Sequence, residues 1–202
     1  AESHFLGYQI NAIHRSVIYV STEDLKQETA FFMQRQANKY RHEPERLNRL
    51  RFLFDPENVL ELLDARLTSR PADAVILDCF SDIYGSDLKD TQKIRAALKP
   101  FFSLADKHQC LFLFLHHTGK RTEYLEPSKN NLLSGQGFEG KMRLVLELRP
   151  DNTLPDIKHL CIVKGNYLPS TFKNESIVLS FDKDTFCYSD TGNRVSLCEL
   201  AK

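Results

Sequence analysis

The sequence predicts an α/β domain with a mostly parallel, twisted sheet flanked by helices and with antiparallel strands in its C-terminal part. The first observation is a pair of unbroken apolar runs, 74–78 and 110–117, which end abruptly in Asp78 and in His116-His117. Such runs are typical of strands buried on both faces of a parallel sheet, whose carboxyl ends open into a ligand site. The second observation is that the pattern changes beyond residue 142 to short strands at close intervals.

The composition is that of an ordinary globular domain. Hydrophobic residues make up 42% of the 202 residues and charged residues 27%, enough apolar material for a buried central sheet. The 27 basic residues balance 27 acidic ones, so any contact with nucleic acid must be local. No apolar run approaches the roughly 20 residues that span a bilayer. We therefore expect a cytoplasmic protein with no membrane partner.

Strands and helices alternate in the first half of the chain. Residues 17–21 predict a β-branched strand that ends at Glu23, in the acidic start of a helix reaching about residue 40. Residues 50–54 predict a second strand, and Asp55-Pro56 starts a helix that ends near residue 70. The strand at 74–78 leads through a polar loop, 80–87, into a helix bent at Pro100. The following apolar strand completes a βαβ crossover.

The second half has a different pattern. Segment 118–140 shows no clean periodicity and contains four glycines, so we predict an irregular connection that is functional or mobile. Strands are predicted at 142–148, 160–163, 177–181 and 185–188, with turn signals between them. These strands are expected to extend one side of the sheet in antiparallel fashion.

The ends of the strands carry the candidate catalytic residues, Glu23, Asp78, His116 and His117. Phosphoryl transfer requires a carboxylate, a metal and cationic donors to converge on the phosphate, and Glu23, Asp78 and His117 could all reach one edge of the sheet. Plainer readings exist for each. Glu23 could serve only the helix dipole, and the histidines could be a packed pair. A zinc site lacks an evident third ligand, because Cys110 lies at the other end of the strand.

Taken together, the chain resembles a RecA-type P-loop ATPase of the RepA-like hexameric helicase group. The segments that carry the resemblance are 17–24, 74–78, 113–120, 134–137 with Arg143, and 162–167. The resemblance implies that Glu23 polarises the attacking water and that Asp78 holds the water shell of Mg²⁺. It favours His117 over His116 as the sensor of the γ-phosphate, and it makes ATP and Mg²⁺ the expected cofactors.

The same resemblance implies a homo-hexameric ring that acts on single-stranded DNA. Arg143 and Lys164 would reach the nucleotide of the neighbouring subunit in trans. Lys120 and Arg121, with other basic residues around the irregular loop, could follow a DNA backbone in the ring pore. A solvated loop and solvated turn charges are the alternatives for these four residues.

One part of the family pattern is missing, because no Gly-x-x-x-x-Gly-Lys-Ser/Thr phosphate loop occurs in the sequence. Residues 1–5 read as the tail of a helix that stops at Gly7, and no initiator Met is present. We therefore expect a single RecA-like ATPase domain, 1–202, that lacks its phosphate-loop strand and helix. The leading function is an ATP-hydrolysing DNA motor. The alternatives are a non-hydrolysing scaffold or regulatory module and a switch ATPase that acts on protein.

Overall fold

The computed structural model describes residues 4–6, 8–41, 44–54, 56–84, 90–133 and 135–201. The chain divides into two compact units. The first comprises residues 1–86 and 96–116, and the second comprises 87–95 and 117–202.

The first unit begins with a short antiparallel hairpin, β1 (His4–Phe5) and β2 (Tyr8–Gln9), in which His4 pairs with Gln9. The helix tail expected over residues 1–5 is therefore wrong at His4 and Phe5. These two residues are extended and pair with Tyr8 and Gln9 across the hairpin, so their backbone is not helical. Residues 1–3 and Gly7 lie outside the described residues.

A parallel sheet of four strands forms the body of the first unit. Its strands are β3 (Val17–Ser21), β4 (Leu50–Phe54), β5 (Ala74–Asp78) and β6 (Leu111–Phe114), in the order β4-β3-β5-β6. The helices are α1 (Lys26–Ala37), α2 (Val59–Ser69), α3 (Phe80–Tyr84) and α4 (Thr91–His108), the last beginning in the second unit. Turns of 3₁₀ helix occupy 38–40 and Pro44–Arg49. The predicted α/β architecture is confirmed.

Only one face of this sheet is deeply buried. Ile18 and Val20 of β3 lie beside Val75 and Leu77 of β5, and all four are at most 1% exposed. Helix α4 packs on this face through Phe101, whose ring centroid lies 5.6 Å from that of Phe114. Burial of such side chains stabilises the fold by about 2 kcal/mol each.

The expectation that the 110–117 run is buried on both faces is wrong. Strand β6 lies at the edge of the sheet and pairs only with β5 among the described strands. Its outward side chains are consequently accessible, with Leu111 63% and Leu113 40% exposed. The continuous apolar run at β6 is therefore buried on only one face of the sheet.

Two predicted boundaries also change in the first unit. Part of the polar loop expected at 80–87 is helix α3, because Phe80, Ile83 and Tyr84 recur at helical spacing and Phe80 is fully buried. Residues 85–87 of that loop lie outside the described residues. Helix α2 begins at Val59 with Asn58 as its N-cap residue, later than predicted, and Asp55 is also outside the described residues.

The second unit contains the short helix α5 (Gly135–Glu139) and an antiparallel sheet. The sheet has four strands, β7 (Leu144–Pro150), β8 (Ile157–Gly165), β9 (Glu175–Asp182) and β10 (Cys187–Ser196), in the order β10-β9-β8-β7. All four predicted strands exist, although β10 runs on through a polar stretch that hydrophobicity did not reveal. They form a sheet of their own instead of extending the parallel sheet, because each pairs with its hairpin neighbour.

Segment 118–140 contains more structure than its lack of periodicity suggested. It includes 3₁₀ turns at Thr122–Tyr124 and Lys129–Asn131, the helix α5, and an antiparallel bridge between Thr118 and Leu132. Such short turns have no sequence repeat that could reveal them. Ser134 lies outside the described residues.

Candidate functional site

The carboxyl edge of the parallel sheet brings the two predicted acids onto neighbouring strands. Strands β3 and β5 pair in parallel with Ser21 opposite Asp78, and Glu23 follows two residues after Ser21. Asp78 is half-buried, whereas Glu23 is exposed. Adjacent strands that end together place their last side chains at a common edge, which is where α/β proteins bind ligands.

Thr22 fastens these two strand ends to each other. Its backbone N–H donates to the carbonyl oxygen of Asp78 at 2.7 Å, and its Oγ1 accepts from the backbone N–H of Cys79 at 2.9 Å. The Thr22 hydroxyl also lies 3.1 Å from a carboxylate oxygen of Asp82. The residue that precedes Glu23 is thereby held against the start of α3.

Tyr19 is a site residue that the sequence analysis missed. Its phenol donates a hydrogen bond to Oδ2 of Asp78, and its ring lies 5.7 Å from that of Phe52. Burial, together with the Asp78 carboxylate, raises the pKa of the Tyr19 hydroxyl, which therefore stays protonated and remains a donor. Tyr19 pairs with Ile76 and so lies on the same face of the sheet as Asp78, a relation that depends on the register between β3 and β5.

Cys79 adds a third contact at this edge. Its thiol is 2% exposed and lies 3.1 Å from Oε1 of Glu23 and 2.8 Å from Oγ of Ser81. Burial raises the pKa of this thiol, which keeps it in the protonated form able to donate to Glu23. Nothing in the sequence pattern marked Cys79 as a site residue.

The donor set at this edge fits Mg²⁺ held through water. Asp78, Glu23 and Asp82 supply carboxylate oxygens, the hard ligands that Mg²⁺ prefers. An ionised carboxylate has about four lone-pair positions, so the Tyr19 hydrogen bond does not exhaust Asp78. When bound with a nucleotide, the ion would neutralise charge on phosphate oxygens, and Asp78 would hold its waters.

The two predicted histidines have different surroundings. His116 is half-buried, and its ring packs edge-on against Phe80 with centroids 6.4 Å apart. His117 is exposed and is the first residue of the longer segment, 117–202, of the second unit. Its backbone carbonyl accepts from the N–H of Leu133 at 3.0 Å, which ties it to the segment that follows. The structure thus gives His116 a packing contact and leaves the side chain of His117 accessible.

Lys120 and Arg121, the predicted DNA-contacting residues, are both exposed. Arg121 adopts a positive φ of 64° just before the 3₁₀ turn at Thr122–Tyr124. The turn itself is anchored, because the guanidinium of Arg149 donates to the carbonyl oxygen of Thr122. The two basic side chains therefore lie at the surface, next to a turn that Arg149 holds by a hydrogen bond.

That anchor is a buried ion pair on β7. Arg149 and Glu147 are 4% and 6% exposed, and Nε of Arg149 lies 2.9 Å from Oε1 of Glu147. Glu147 also accepts from the backbone N–H of Ser128 at 2.8 Å and from Nδ2 of Asn131 at 3.1 Å. Segment 118–131 is consequently hydrogen-bonded to β7 at several points. The sequence analysis did not identify either charge.

Arg143 and Lys164, the predicted trans residues, lie near each other on the hairpin of β7 and β8. Arg143 is exposed, donates to the Tyr167 hydroxyl at 2.5 Å, and its guanidinium lies 5.6 Å from that ring. Lys164 is half-buried and donates to the backbone oxygen of Glu139 at 2.6 Å and to its carboxylate at 3.0 Å. Burial opposes ionisation of Glu139, but the hydrogen bond and charge of Lys164 outweigh it and lower the pKa of that carboxyl.

None of the described helices is long and apolar enough to cross a membrane. A parallel sheet flanked by helices, with acids at the ends of adjacent strands, is consistent with a RecA-like ATPase domain. The chain belongs to the AAA domain family, whose model matches residues 2–123, more than half of the sequence. No curated protein matches the chain.

The family match includes both acids and both histidines, and it ends before Arg143 and Lys164. Membership assigns an ATPase-type function to the chain, and AAA ATPase domains in general use ATP and Mg²⁺.

Proposed function

We propose that this chain is the hydrolytic core of an ATP-driven, ring-forming motor that acts on single-stranded DNA. The observation that carries the proposal is the position of the two acids at one edge of the sheet: Asp78 ends β5 opposite Ser21, and Glu23 follows Ser21 by two residues. In this arrangement Glu23 would accept a proton from the attacking water, and Asp78 would hold the Mg²⁺ ion through its waters.

Among the described strands, β6 pairs on one side only, and this favours a further strand and helix that carry the phosphate loop on its other side. The outward leucines Leu111, Leu113 and Leu115 are each at least 38% exposed, and parallel sheets generally cover both faces with helices. We infer that a phosphate-loop strand and its helix complete the sheet on this side. A glycine-rich loop with Lys and Ser or Thr in the encoded sequence adjoining this chain would agree with that inference, and its absence would contradict it.

The proposed action on DNA is based on the charge and the surface position of a few basic residues. Lys120 and Arg121 are exposed on the anchored segment that begins at His117. Arg143 is exposed on the β7–β8 hairpin, available to a neighbouring subunit in a ring. Lys164 would act there only after leaving Glu139, which gives it the weaker claim to a role in trans.

The decisive experiment compares wild type with Glu23→Gln in the encoded protein that contains this chain. Gln preserves the shape of Glu23 but cannot act as a base, so we expect turnover to be lost while nucleotide affinity stays nearly unchanged. Equal loss of affinity and turnover would show that Glu23 only caps the start of a helix.

DNA and ring formation are tested separately. Fluorescence titration with single-stranded DNA at several salt concentrations should give binding that weakens as salt rises, and Lys120→Ala should reduce that salt dependence. Light scattering with and without nucleotide should reveal a ring-sized assembly. Hydrolysis without any DNA affinity would favour a switch ATPase that acts on protein.

A non-hydrolysing scaffold is the second candidate, favoured by one observation. The phenol of Tyr19 already occupies an oxygen of Asp78, an arrangement that stabilises the site without nucleotide. Absence of hydrolysis by the encoded protein, together with an unchanged fold in Glu23→Gln, would favour this alternative.

A further inference from the structure

We propose that the thiol of Cys79 is a positioning residue for Glu23, holding the carboxylate in the orientation from which it meets water. The sulfur lies 3.1 Å from Oε1 of Glu23. This inference rests on the proposed role of Glu23 as the base.

The number of protons available determines which group donates in the contact between Cys79 and Glu23. An ionised carboxylate can only accept, and a thiol has a single proton, so Cys79 donates to Glu23. The Ser81 hydroxyl, 2.8 Å from the sulfur, must then donate to Cys79. The result is a directed chain of hydrogen bonds from Ser81 through Cys79 to Glu23.

The donor is held far more rigidly than the acceptor. Cys79 is 2% exposed, its backbone N–H is bonded to Thr22, and the next residue, Phe80, is completely buried at the start of α3. Glu23 is exposed, with several rotatable bonds between its carboxylate and the backbone. A fixed donor beside a mobile side chain restricts the directions in which that side chain points.

The contact itself is tested by infrared spectroscopy of the chain, since S–H stretching falls in a region free of other protein bands. Cys79→Ala identifies the band of this thiol by its disappearance. Glu23→Ala removes the acceptor and should move the band towards the position of a free thiol, whereas Cys110→Ala, which removes another buried cysteine, should leave it in place. A band unmoved by Glu23→Ala would overturn the proposal.

The consequence is tested by kinetics on the encoded protein. Cys79→Ala should lower kcat about tenfold, the scale of one lost hydrogen bond, with nucleotide affinity unchanged. Cys79→Ser retains a donor and should recover most of the rate, which loss of packing alone would not allow. Cys110→Ala, with a similar loss of buried volume, should keep the wild-type rate.

The two proposals fail in different ways. Wild-type turnover in Glu23→Gln would refute the base and hence the proposed function. Full turnover in Cys79→Ala beside an inactive Glu23→Gln would refute the positioning role alone.

Discussion

Replacement of Glu147 by Gln tests whether the buried ion pair on β7 anchors the segment that follows His117. Both carboxylate oxygens of Glu147 accept, from Arg149, Ser128 and Asn131, and these groups are all donors. Gln replaces one acceptor oxygen with an NH₂ group that must face a donor. It also leaves the guanidinium of Arg149, 4% exposed, without an opposing charge.

Breaking one side of a buried pair in this way costs about 3–5 kcal/mol, which is a large share of the roughly 5–15 kcal/mol that stabilises a typical domain. We expect a fall in Tm of roughly 10 °C. Thermal unfolding followed by circular dichroism measures this change, and hydrogen exchange at the Ser128 amide reports local release of the segment.

Glu175→Gln is the matched control, because Glu175 is exposed at the start of β9. Its effect should stay within about 0.5 kcal/mol. A loss below about 1 kcal/mol in Glu147→Gln, with the Ser128 amide still protected, would refute the anchoring argument.

Three further predictions concern the sensor, a pH-dependent contact and the core. His117→Ala in the encoded protein should retain ATP binding but lose most of the stimulation of the ATPase rate by single-stranded DNA. The ATPase rate is measured with and without DNA, and Lys120→Ala serves as the control in the loop. Full stimulation in His117→Ala would refute the sensor role. Asp151 accepts a hydrogen bond from the buried His159 at 3.0 Å, and this bond lowers the pKa of the carboxyl below its ordinary value of 3.8. Its stabilising effect is therefore present above pH 3.8 and is lost as the pH falls through the lower folded-state pKa. At neutral pH, Asp151→Asn should lower the free energy of unfolding by about 2 kcal/mol, and in acid its stability should approach that of the wild type. Urea unfolding at both pH values measures this. An equal loss of stability at both pH values would show that the ionised carboxylate is not the cause. Leu63→Ala, at a fully buried position of α2, should lose about 2–5 kcal/mol in the same assay, while Leu60→Ala on the same helix, only partly buried, should lose less.

Strand identity was largely predictable from the sequence. Val17–Ser21, Leu50–Phe54 and Ala74–Asp78 have the bounds that their apolar runs indicated. These runs are short, bounded by polar or turn residues, and spaced for helical crossovers, so local pattern and chain connectivity point to the same sheet. The placement of Glu23 and Asp78 at one edge followed from that reading.

Side-chain partners were less predictable. Tyr19, Thr22 and Cys79 became part of the site only through register, because their contacts with Asp78 and Glu23 cross between strands some 56 or more residues apart in the chain. Hydrophobic pattern carries no information about which hydroxyl or thiol meets which carboxylate.

Strand β7 shows most clearly what only the tertiary structure decided. By hydrophobicity its leucines belong inside, yet Leu144, Leu146 and Leu148 are exposed and Glu147 and Arg149 are buried. A period of two specifies that alternate residues share a face but does not say which face is covered. By itself the sequence determined the strands, their alternation with helices and the edge where the acids meet, because these follow from local periodicity and connectivity. The buried face of each strand and the partners of each polar group depend on what packs against them, and only the folded chain determines that.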